Sequence, residues 1–187
     1  MTLFNILQKT WHNFLERQLF DLIHGTNTYE VVDKADFLPI VDLKHGKAYY
    51  ASWTNEVKNS HQVMIHLLKS HFSDYVFIDL GCGKGKACLV WEMQNRRLAQ
   101  NQLIYGLDYY EPFIKIAQKN YVQVFKQSGN FYHVDAQHFD YQQFNKPLII
   151  YLFNPFDAYL LDAVLSKIGS TPCICIYNIP MHQDVFD

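Results

Sequence analysis

The sequence predicts an α/β fold with a doubly wound, mostly parallel sheet that is flanked by helices. From residue 75 onward, apolar strand-like runs alternate with helix-like segments, which is the pattern of consecutive βαβ units. The runs at residues 76–78 and 148–153 are apolar at every position, as expected of strands that helices cover on both faces. A chain of 187 residues that is 49% hydrophobic can bury one sizeable core, so we expect one domain.

The N-terminal part is predicted to be helical and then irregular. Apolar residues recur there at helical spacing with polar residues between them: Phe4, Leu7, Trp11, Phe14, Leu15 and Leu22. This pattern indicates an amphipathic helix rather than a signal peptide or a membrane span. The stretch from residue 25 to 53 is polar and broken, which predicts a loop wrapped over the domain.

A second helix is predicted over residues 55–70, with Thr54 as its cap. Its buried face is expected to contain three apolar residues and, at the edge, a histidine: Val57, Met64, Leu68 and His61. Five strands are then predicted at residues 75–80, 102–107, 131–134, 148–153 and 173–177. Helices are expected up to about residue 98 and over residues 112–125 and 158–168.

Charge and cysteine spacing exclude some classes of function. A formal net charge of −2 gives no general attraction to phosphate backbones, so a nucleic-acid partner is not favoured. The four cysteines lack the C-x2-C spacing of zinc sites, and we expect reduced core thiols and no metal: Cys82, Cys88, Cys173 and Cys175. No membrane association and a cytoplasmic location are the resulting expectations.

The most informative motif is D-L-G-C-G-K-G at residues 79–85, between the first predicted strand and a helix. Glycines at Gly81, Gly83 and Gly85 allow a sharp turn and a close approach of the backbone to a ligand, and the helix offers unpaired N–H groups. A dinucleotide motif requires a further glycine where Lys86 stands, and a Walker phosphate loop requires Ser or Thr where Ala87 stands. Glycines that serve packing alone are the alternative interpretation.

The pattern D-x-G-x-G-x-G, beginning at Asp79, resembles the first motif of class I, Rossmann-like S-adenosylmethionine (SAM) dependent methyltransferases. The resemblance implies that SAM is the cofactor and that the glycine turn lies beside its methionine part. Asp108 ends the second predicted strand about 20 residues after the last glycine, where a carboxylate can accept both ribose hydroxyls. Asp108 is alternatively, or at the same time, the cap of the next helix.

Two further motifs are similar to that family. Asp135 and Ala136 follow the third strand, where the family's acidic residue accepts a hydrogen bond from the adenine amino group; a plain turn is the alternative. Asn154, Pro155 and Phe156 resemble the [DN]-P-P-[FY] signature of amino-group methyltransferases, and also a branch of uncharacterised methyltransferases with an N-P-F ending. Asn154 is expected to orient the acceptor nitrogen and Phe156 to wall the pocket, whereas a strand-ending turn is the alternative.

The segment 25–28 is similar to a G-T-x-T segment of the same branch, whose loop closes over the methionine end of the cofactor. Thr28, and less directly Tyr50 and Ser52, are therefore candidates for cofactor contacts, with a solvated loop as the alternative. Lys84 and Lys86 are expected either to attract the cofactor's carboxylate or to be ordinary surface lysines. The resemblance covers about residues 20–178.

The predicted strand order is 3-2-1-4-5, with the cofactor across the carboxyl ends of strands 1 and 2. The family's sheet usually continues with an antiparallel hairpin that this sequence lacks, so the fifth strand is expected to lie at an edge. We expect this edge to pair with another chain, to be covered by the N-terminal segment, or to reflect a truncated chain. Residues 1–70 are expected to supply helices and a cofactor-covering loop to the same domain as a core formed by residues 71–187.

The predicted function is methyl transfer from SAM to a nitrogen nucleophile by in-line displacement, with a protein lysine side chain favoured as acceptor. Bases of nucleic acids and small molecules are the alternative acceptors, and a non-catalytic SAM-binding or assembly protein is the alternative class. A nicotinamide-dependent oxidoreductase is disfavoured by the glycine spacing. His24, His133 and His138 are conceivable bases, and the base is left unassigned.

Overall fold

The structure, a computed structural model, describes residues 18–29, 31–32 and 48–186. The predicted N-terminal stripe from Phe4 to Leu15 and the loop residues 33–47 lie outside the described residues. The helices are α1 (Leu19–His24), α2 (Thr54–Leu68), α3 (Lys86–Arg97), α4 (Glu111–Phe125) and α5 (Ala158–Ile168). Short 3-10 helices occupy Lys69–Asp74, Ala136–His138, Tyr141–Phe144 and Gln183–Phe186.

Five parallel strands form the central sheet: β3 (Val76–Leu80), β4 (Ile104–Asp108), β5 (Asn130–His133), β6 (Leu148–Phe153) and β7 (Cys173–Asn178). Their order across the sheet is β5-β4-β3-β6-β7. In terms of the five predicted strands this is the order 3-2-1-4-5, which confirms the predicted topology. The order of the strands reverses between β3 and β6, and the carboxyl ends of strands at such a point are where α/β sheets bind ligands.

The sheet is covered on both faces. On one face, β3 contributes Phe77 to a core formed with α2, α3 and α4. On the other face, Val76 and Ile78 pack with α5 and with the 3-10 helices that follow β5. Neighbouring residues of a strand point to opposite faces, so a strand buried on both sides is expected to be mostly apolar, as four of the five residues of β3 are.

Two details of α2 differ from the sequence-based expectation. Trp53 precedes the helix as its cap residue without a side-chain capping hydrogen bond, and Thr54 is the first helical residue. His61 is 1% exposed rather than at the edge of the buried face. Its ring lies edge-on against Phe72 and Trp91, and its Nε2 is 2.9 Å from the side-chain oxygen of Asn95. Burial of His61 is tolerated because Asn95 provides a hydrogen-bond partner for its Nε2 atom.

A short antiparallel ribbon stands where the sequence predicted only loop. It consists of β1 (Val31–Val32) and β2 (Tyr49–Tyr50), with Val31 opposite Tyr50. Two residues per strand carry too little periodicity for a sequence pattern to reveal, although Tyr and Val favour extended structure. The ribbon brings residues 48–53 to the carboxyl edge of the main sheet.

Strand β7 lies at the edge of the main sheet and pairs only with β6 among the described residues. Cys82 and Cys88 are buried, but Cys173 on β7 is exposed. The expectation that all four cysteines are core thiols is therefore wrong for Cys173, which is the first residue of an edge strand. Pairing of the β7 edge with another chain stays a prediction. No helix in the described ranges is long and apolar enough to cross a membrane.

We predict that His61 makes the stability of the protein sensitive to acid. Burial lowers the pKa of His61, and Arg97 acts in the same direction while the hydrogen bond with Asn95 opposes it. The unfolded chain therefore takes up a proton first as the pH falls below about 6.5, and this part of the stability is present above that pH and lost below it. The free energy of unfolding, measured by chemical denaturation at about pH 7.5 and about pH 5.5, should fall less between these two pH values in His61→Gln than in the wild type.

The matched control for that experiment is His66→Gln, on the same helix but exposed. It should keep the pH dependence of the wild type. Equal pH dependence in all three proteins would contradict a buried, uncharged His61.

Candidate functional site

A cleft lies at the carboxyl ends of β3, β4, β5 and β6. It consists of a larger cavity of about 430 Å³ and a smaller one of about 200 Å³. Four residues border both cavities, so the two are parts of one cleft: Gly81, Asp108, Tyr109 and Phe156. The predicted binding edge of the sheet thus contains a cleft.

The first residues of the glycine turn, Gly81 and Cys82, border this cleft. Gly81, Gly83 and Gly85 have φ values of 71°, 51° and 83°, a left-handed conformation that other residues adopt only at a cost. The N–H groups of Gly81 and Cys82 both donate to the carbonyl of Leu107 at 2.9 Å. The backbone of the turn is therefore held by the end of β4.

Residues of the chain itself fill the space beside these glycines. A Cβ atom at Gly81 would lie 2.5 Å from Cβ of Pro155, and one at Gly83 would lie within 2.1 Å of the Tyr49 ring. At Gly85 it would meet Phe131 at 3.0 Å. The expectation that all three glycines leave room for a ligand is corrected, because Gly83 and Gly85 lie under packed side chains and only Gly81 borders the cleft. The packing interpretation holds for those two.

Asp108 points towards the glycine turn and borders both cavities. One carboxylate oxygen accepts the N–H of Gly83 and the other accepts the N–H of Tyr110, both at 2.8 Å. Burial raises the pKa of Asp108 to about 6, although these two hydrogen bonds and nearby His133 lower it. Because Tyr110 directly precedes α4, Asp108 also stabilises the start of that helix, as the alternative interpretation proposed.

Asp79 lies deeper, within β3, and is 3% exposed. Its hydrogen-bond partner is the thiol of Cys88, at 3.8 Å. Burial raises the pKa of Asp79 to about 8, with a further rise from the charge of Asp108. Asp79 does not border either cavity, so any effect on a ligand acts through the turn.

Asp135 and Ala136 border the smaller cavity. The carboxylate of Asp135 accepts the backbone N–H of Gln137 at 3.1 Å and its side-chain amide at 2.9 Å. These bonds cap the 3-10 helix Ala136–His138, so Asp135 is a turn residue as well as a cleft residue. Ala136 and Leu160 give this cavity an apolar wall.

Asn154, Pro155 and Phe156 border the larger cavity. Asn154 has a φ of 47°, an uncommon conformation that clusters at functional sites, and its side-chain oxygen accepts the hydroxyl of Tyr177 at 3.4 Å. Pro155 packs against Gly81. Phe156 is 5% exposed and separates the two cavities.

The surroundings of Thr28 and of the two lysines of the turn differ from those predicted from the sequence. Thr28 does not border the cleft, because its hydroxyl and its N–H both donate to the carboxylate of Asp21. Lys84 and Lys86 are each 1% exposed, so their interpretation as surface lysines is wrong. Lys86 borders the larger cavity, and its Nζ lies 5.0 Å from the centre of the Phe20 ring.

Sequence reasoning missed the aromatic wall of the larger cavity. Its members come from three separate segments: Tyr49, Trp53, Tyr109, Phe113 and Phe153. The only sequence signal is the high aromatic content of 16%, which does not identify positions. Tyr50 and Ser52, which were named as candidates, also border this cavity.

None of the three histidines considered as bases borders the cleft in the part of the chain that the structure describes. His133 instead forms a hydrogen bond with the carbonyl of Tyr109 at 3.0 Å. No cluster of three or more potential metal ligands occurs among the described residues.

The parallel sheet and the glycine turn beside a buried acid define a Rossmann-like fold of the class that binds nucleoside cofactors. A family model described as a methyltransferase domain matches residues 71–180, which is more than half of the chain. The chain therefore belongs to this methyltransferase domain family. No curated protein matches the chain in sequence.

Several solved structures have similar folds. A SAM-bound amino pentose methyltransferase of Micromonospora echinaspora, CalS10, is 12% identical over 66% of this chain and 50% of its own, with a TM-score of 0.46. A putative protein-L-isoaspartate O-methyltransferase of Plasmodium falciparum, in complex with S-adenosyl-L-homocysteine, is 13% identical over 75% of this chain and 66% of its own, with a TM-score of 0.42.

A ribosomal protein L11 methylase of Lactobacillus delbrueckii subsp. bulgaricus is 10% identical over 70% of this chain and 66% of its own, with a TM-score of 0.45. The chain thus spans between half and two thirds of the length of these three structures. The family assignment depends on the domain match alone.

We predict that Asp79→Asn stabilises the protein at alkaline pH. A carboxyl group with a folded-state pKa of about 8 and an unfolded value near 4 contributes stability at low pH that is lost as the pH rises through 8. Asparagine has nearly the same shape and no charge, so its advantage should grow from about pH 4 to about pH 9. The gain should exceed about 1 kcal/mol in the free energy of unfolding, because one pKa unit corresponds to about 1.4 kcal/mol.

Asp162→Asn, at an exposed position of α5, is the control and should change little. A variant at Asp79 that loses stability equally at every pH would show that the charged form is compensated in the folded protein.

Proposed function

We propose that this protein is a SAM-dependent methyltransferase that transfers a methyl group to a nitrogen nucleophile, with a protein lysine side chain as its acceptor. One observation carries the proposal. The buried carboxylate of Asp108 and the left-handed Asn154 border the same cavity, on either side of Gly81. The cleft thus contains a carboxylate that can accept hydrogen bonds from ribose hydroxyls, Asp108, and an amide oxygen that can accept one from an acceptor nitrogen, Asn154.

The cleft residues fit the nucleoside part of SAM. Each oxygen of Asp108 accepts one backbone hydrogen bond, and a carboxylate has about four acceptor positions in total. Capacity therefore remains for the two ribose hydroxyls. The smaller cavity, with Asp135 and the apolar wall of Ala136, is the proposed adenine site. Asp135 has here the role that the family resemblance implied, which is to accept a hydrogen bond from the adenine amino group.

The larger cavity is the proposed place of the methionine end and of the acceptor. Gly81 and Lys86 border it from the glycine turn, and Asn154 borders it from the end of β6. When bound, SAM supplies an electrophilic methyl group on a sulfonium. Asn154 would accept a hydrogen bond from the acceptor nitrogen through its side-chain oxygen, and Tyr177 fixes that oxygen.

Positioning is the proposed source of the rate enhancement. Asn154 would aim the lone pair of the acceptor nitrogen at the methyl group, in line with the C–S bond. Transfer would form an N–C bond as the C–S bond breaks, with the demethylated cofactor as leaving group and a proton released from the methylated nitrogen. Holding both partners at reacting distance lowers the barrier without a covalent intermediate. The aromatic wall excludes water and favours positive charge near its ring faces. No residue is assigned as the base.

We further propose that residues 1–70 and 71–187 form one domain. Tyr49 and Trp53 belong to the first part and border the same cavity as Asn154. Trp53 also contacts Phe153 edge-on, with ring centres 6.2 Å apart. A cleft with walls from both parts supports a single folding unit.

We predict that Asp108→Asn weakens SAM binding by about 10- to 100-fold, because hydrogen bonds to a charged group contribute roughly 1.5–3 kcal/mol. Binding is to be measured by isothermal titration calorimetry with SAM and with its demethylated product. Since the pKa of Asp108 is about 6 and the ionised form is the better acceptor, wild-type affinity should fall as the pH decreases below 6.

Asp162→Asn again serves as the control and should bind as the wild type does. Absence of binding to the wild-type protein, with binding of a reduced nicotinamide cofactor instead, would overturn the proposed function.

We predict that Asn154→Ala loses methyl transfer by about 100-fold or more while SAM affinity stays within about twofold. Transfer is to be measured with methyl-labelled SAM and lysine-containing protein acceptors, followed by identification of the methylated residue. Asn145→Ala is a matched control, because Asn145 has a similar φ of 46° and lies outside the cleft.

Transfer of the methyl label to a nucleic-acid base or to a small molecule, and not to lysine, would show that the acceptor belongs to that other class. SAM binding without transfer to any of the three acceptor classes would favour the non-catalytic alternative.

A further inference from the structure

Asn120 lies on α4, is 4% exposed and does not border the cleft. Its side-chain amide bridges two segments that are far apart in sequence. The Nδ2 atom donates to the carbonyl of Lys84 at 3.0 Å and to the carbonyl of Asn27 at 3.1 Å. The Oδ1 atom accepts the N–H of Asn27 at 2.9 Å. Asn120 therefore ties the loop before β1 to the middle of the glycine turn.

Tyr49 makes a second bridge between the same two segments. Its hydroxyl donates to the carbonyl of Thr28 at 2.9 Å and receives a hydrogen bond from the backbone N–H of Lys84. Both polar groups of the Lys84 backbone are thus held to residues 27 and 28 through the side chains of other residues. The Lys84 Nζ atom adds a direct contact with Asn27 Oδ1 at 3.3 Å.

The far side of the loop is fixed by Asp21. Its carboxylate accepts the hydroxyl of Thr26 at 2.6 Å and the hydroxyl of Thr28 at 2.8 Å. It also accepts the N–H of Thr28 at 2.7 Å. Thr28 is completely buried, and Asn120 holds the neighbouring residue Asn27. The loop is therefore held against the glycine turn.

We propose that Asn120 is a positioning residue of the cofactor site, which fixes the Lys84 backbone and thereby the glycine turn at the methionine end of SAM. This inference rests on the proposed function. The nucleoside end depends on Asp108 and Asp135. Gln137 holds Asp135, and Asp108, which accepts the N–H of Gly83, is also held by the N–H of Tyr110 outside the turn. Loss of the bridge therefore weakens contacts with the amino-acid part of the cofactor and spares the nucleoside part.

Two ligands separate these parts in a calorimetric titration. S-adenosylhomocysteine has both, whereas 5′-methylthioadenosine keeps the nucleoside and the thioether and lacks the amino-acid group. In Asn120→Ala, affinity for the first should fall about tenfold, the effect of losing one or two hydrogen bonds, and affinity for the second should stay within about twofold. Asn120→Asp retains only the acceptor for Asn27 and should lose as much.

Gln118→Ala is the matched control on the same helix. Its side-chain amide also donates to a backbone carbonyl, that of Gly129, at 3.0 Å, but away from the glycine turn. It should lower thermal stability without changing the ratio of the two affinities. If Asn120→Ala does not fold, Tyr49→Phe removes the second bridge, keeps the ring and should change the ratio in the same direction.

An equal loss of affinity for both ligands in the Asn120 variants would show that Asn120 is only a structural residue and would contradict the inference. Unchanged affinities for both ligands would also overturn it. The same change of ratio in Gln118→Ala would also overturn it, because the effect would then belong to the helix in general. A wild-type protein that binds neither ligand would instead refute the proposed function, so the two failures are distinguishable.

Discussion

The close packing of the glycine turn at the end of β3 constrains the rest of the site. Three left-handed glycines let Pro155, Tyr49 and Phe131 approach the backbone at distances that no Cβ atom permits. These three contacts come from the segment after β6, from the ribbon β1–β2 and from β5. Two of these residues, Tyr49 and Pro155, border the cleft and are thus located relative to the glycine turn. A side chain at Gly81 or Gly83 would displace one of them, and a side chain at Gly85 would displace Phe131.

The positions of the strands were predictable because burial on both faces leaves a strong signal, whereas their order was taken from the doubly wound class of fold. Leu148–Phe153 is apolar at each position, and the structure has a strand with those bounds. The helix Ala158–Ile168 was equally clear, since Asp157 caps it and Gly169 ends it. Such features are local, so a single stretch of sequence contains all the information that determines them.

The errors have the opposite origin, because they concern residues whose environment is made by distant segments. Lys84 and Lys86 are charged and therefore expected at the surface, yet rings of Tyr49, Phe113 and Phe20 lie 5.0–5.9 Å from their amino groups. His61 was placed at an edge because Asn95, its partner, lies 34 residues further along the chain. Contacts between residues so far apart in sequence cannot be predicted from the periodicity of a single helix or strand.

The same reasoning applies to the acids of the cleft. Sequence position suggested Asp79 and Asp108 alike, since each stands at or near the end of a strand, but their surroundings differ. Asp108 accepts two backbone N–H groups and its pKa is about 6, whereas Asp79 has a thiol as partner and its pKa is about 8. Hydrogen bonds thus keep Asp108 largely ionised at neutral pH, while burial leaves Asp79 largely protonated. Two carboxylates charged so close together would repel each other, and the difference in solvation resolves this by leaving the negative charge on the residue that faces the cleft.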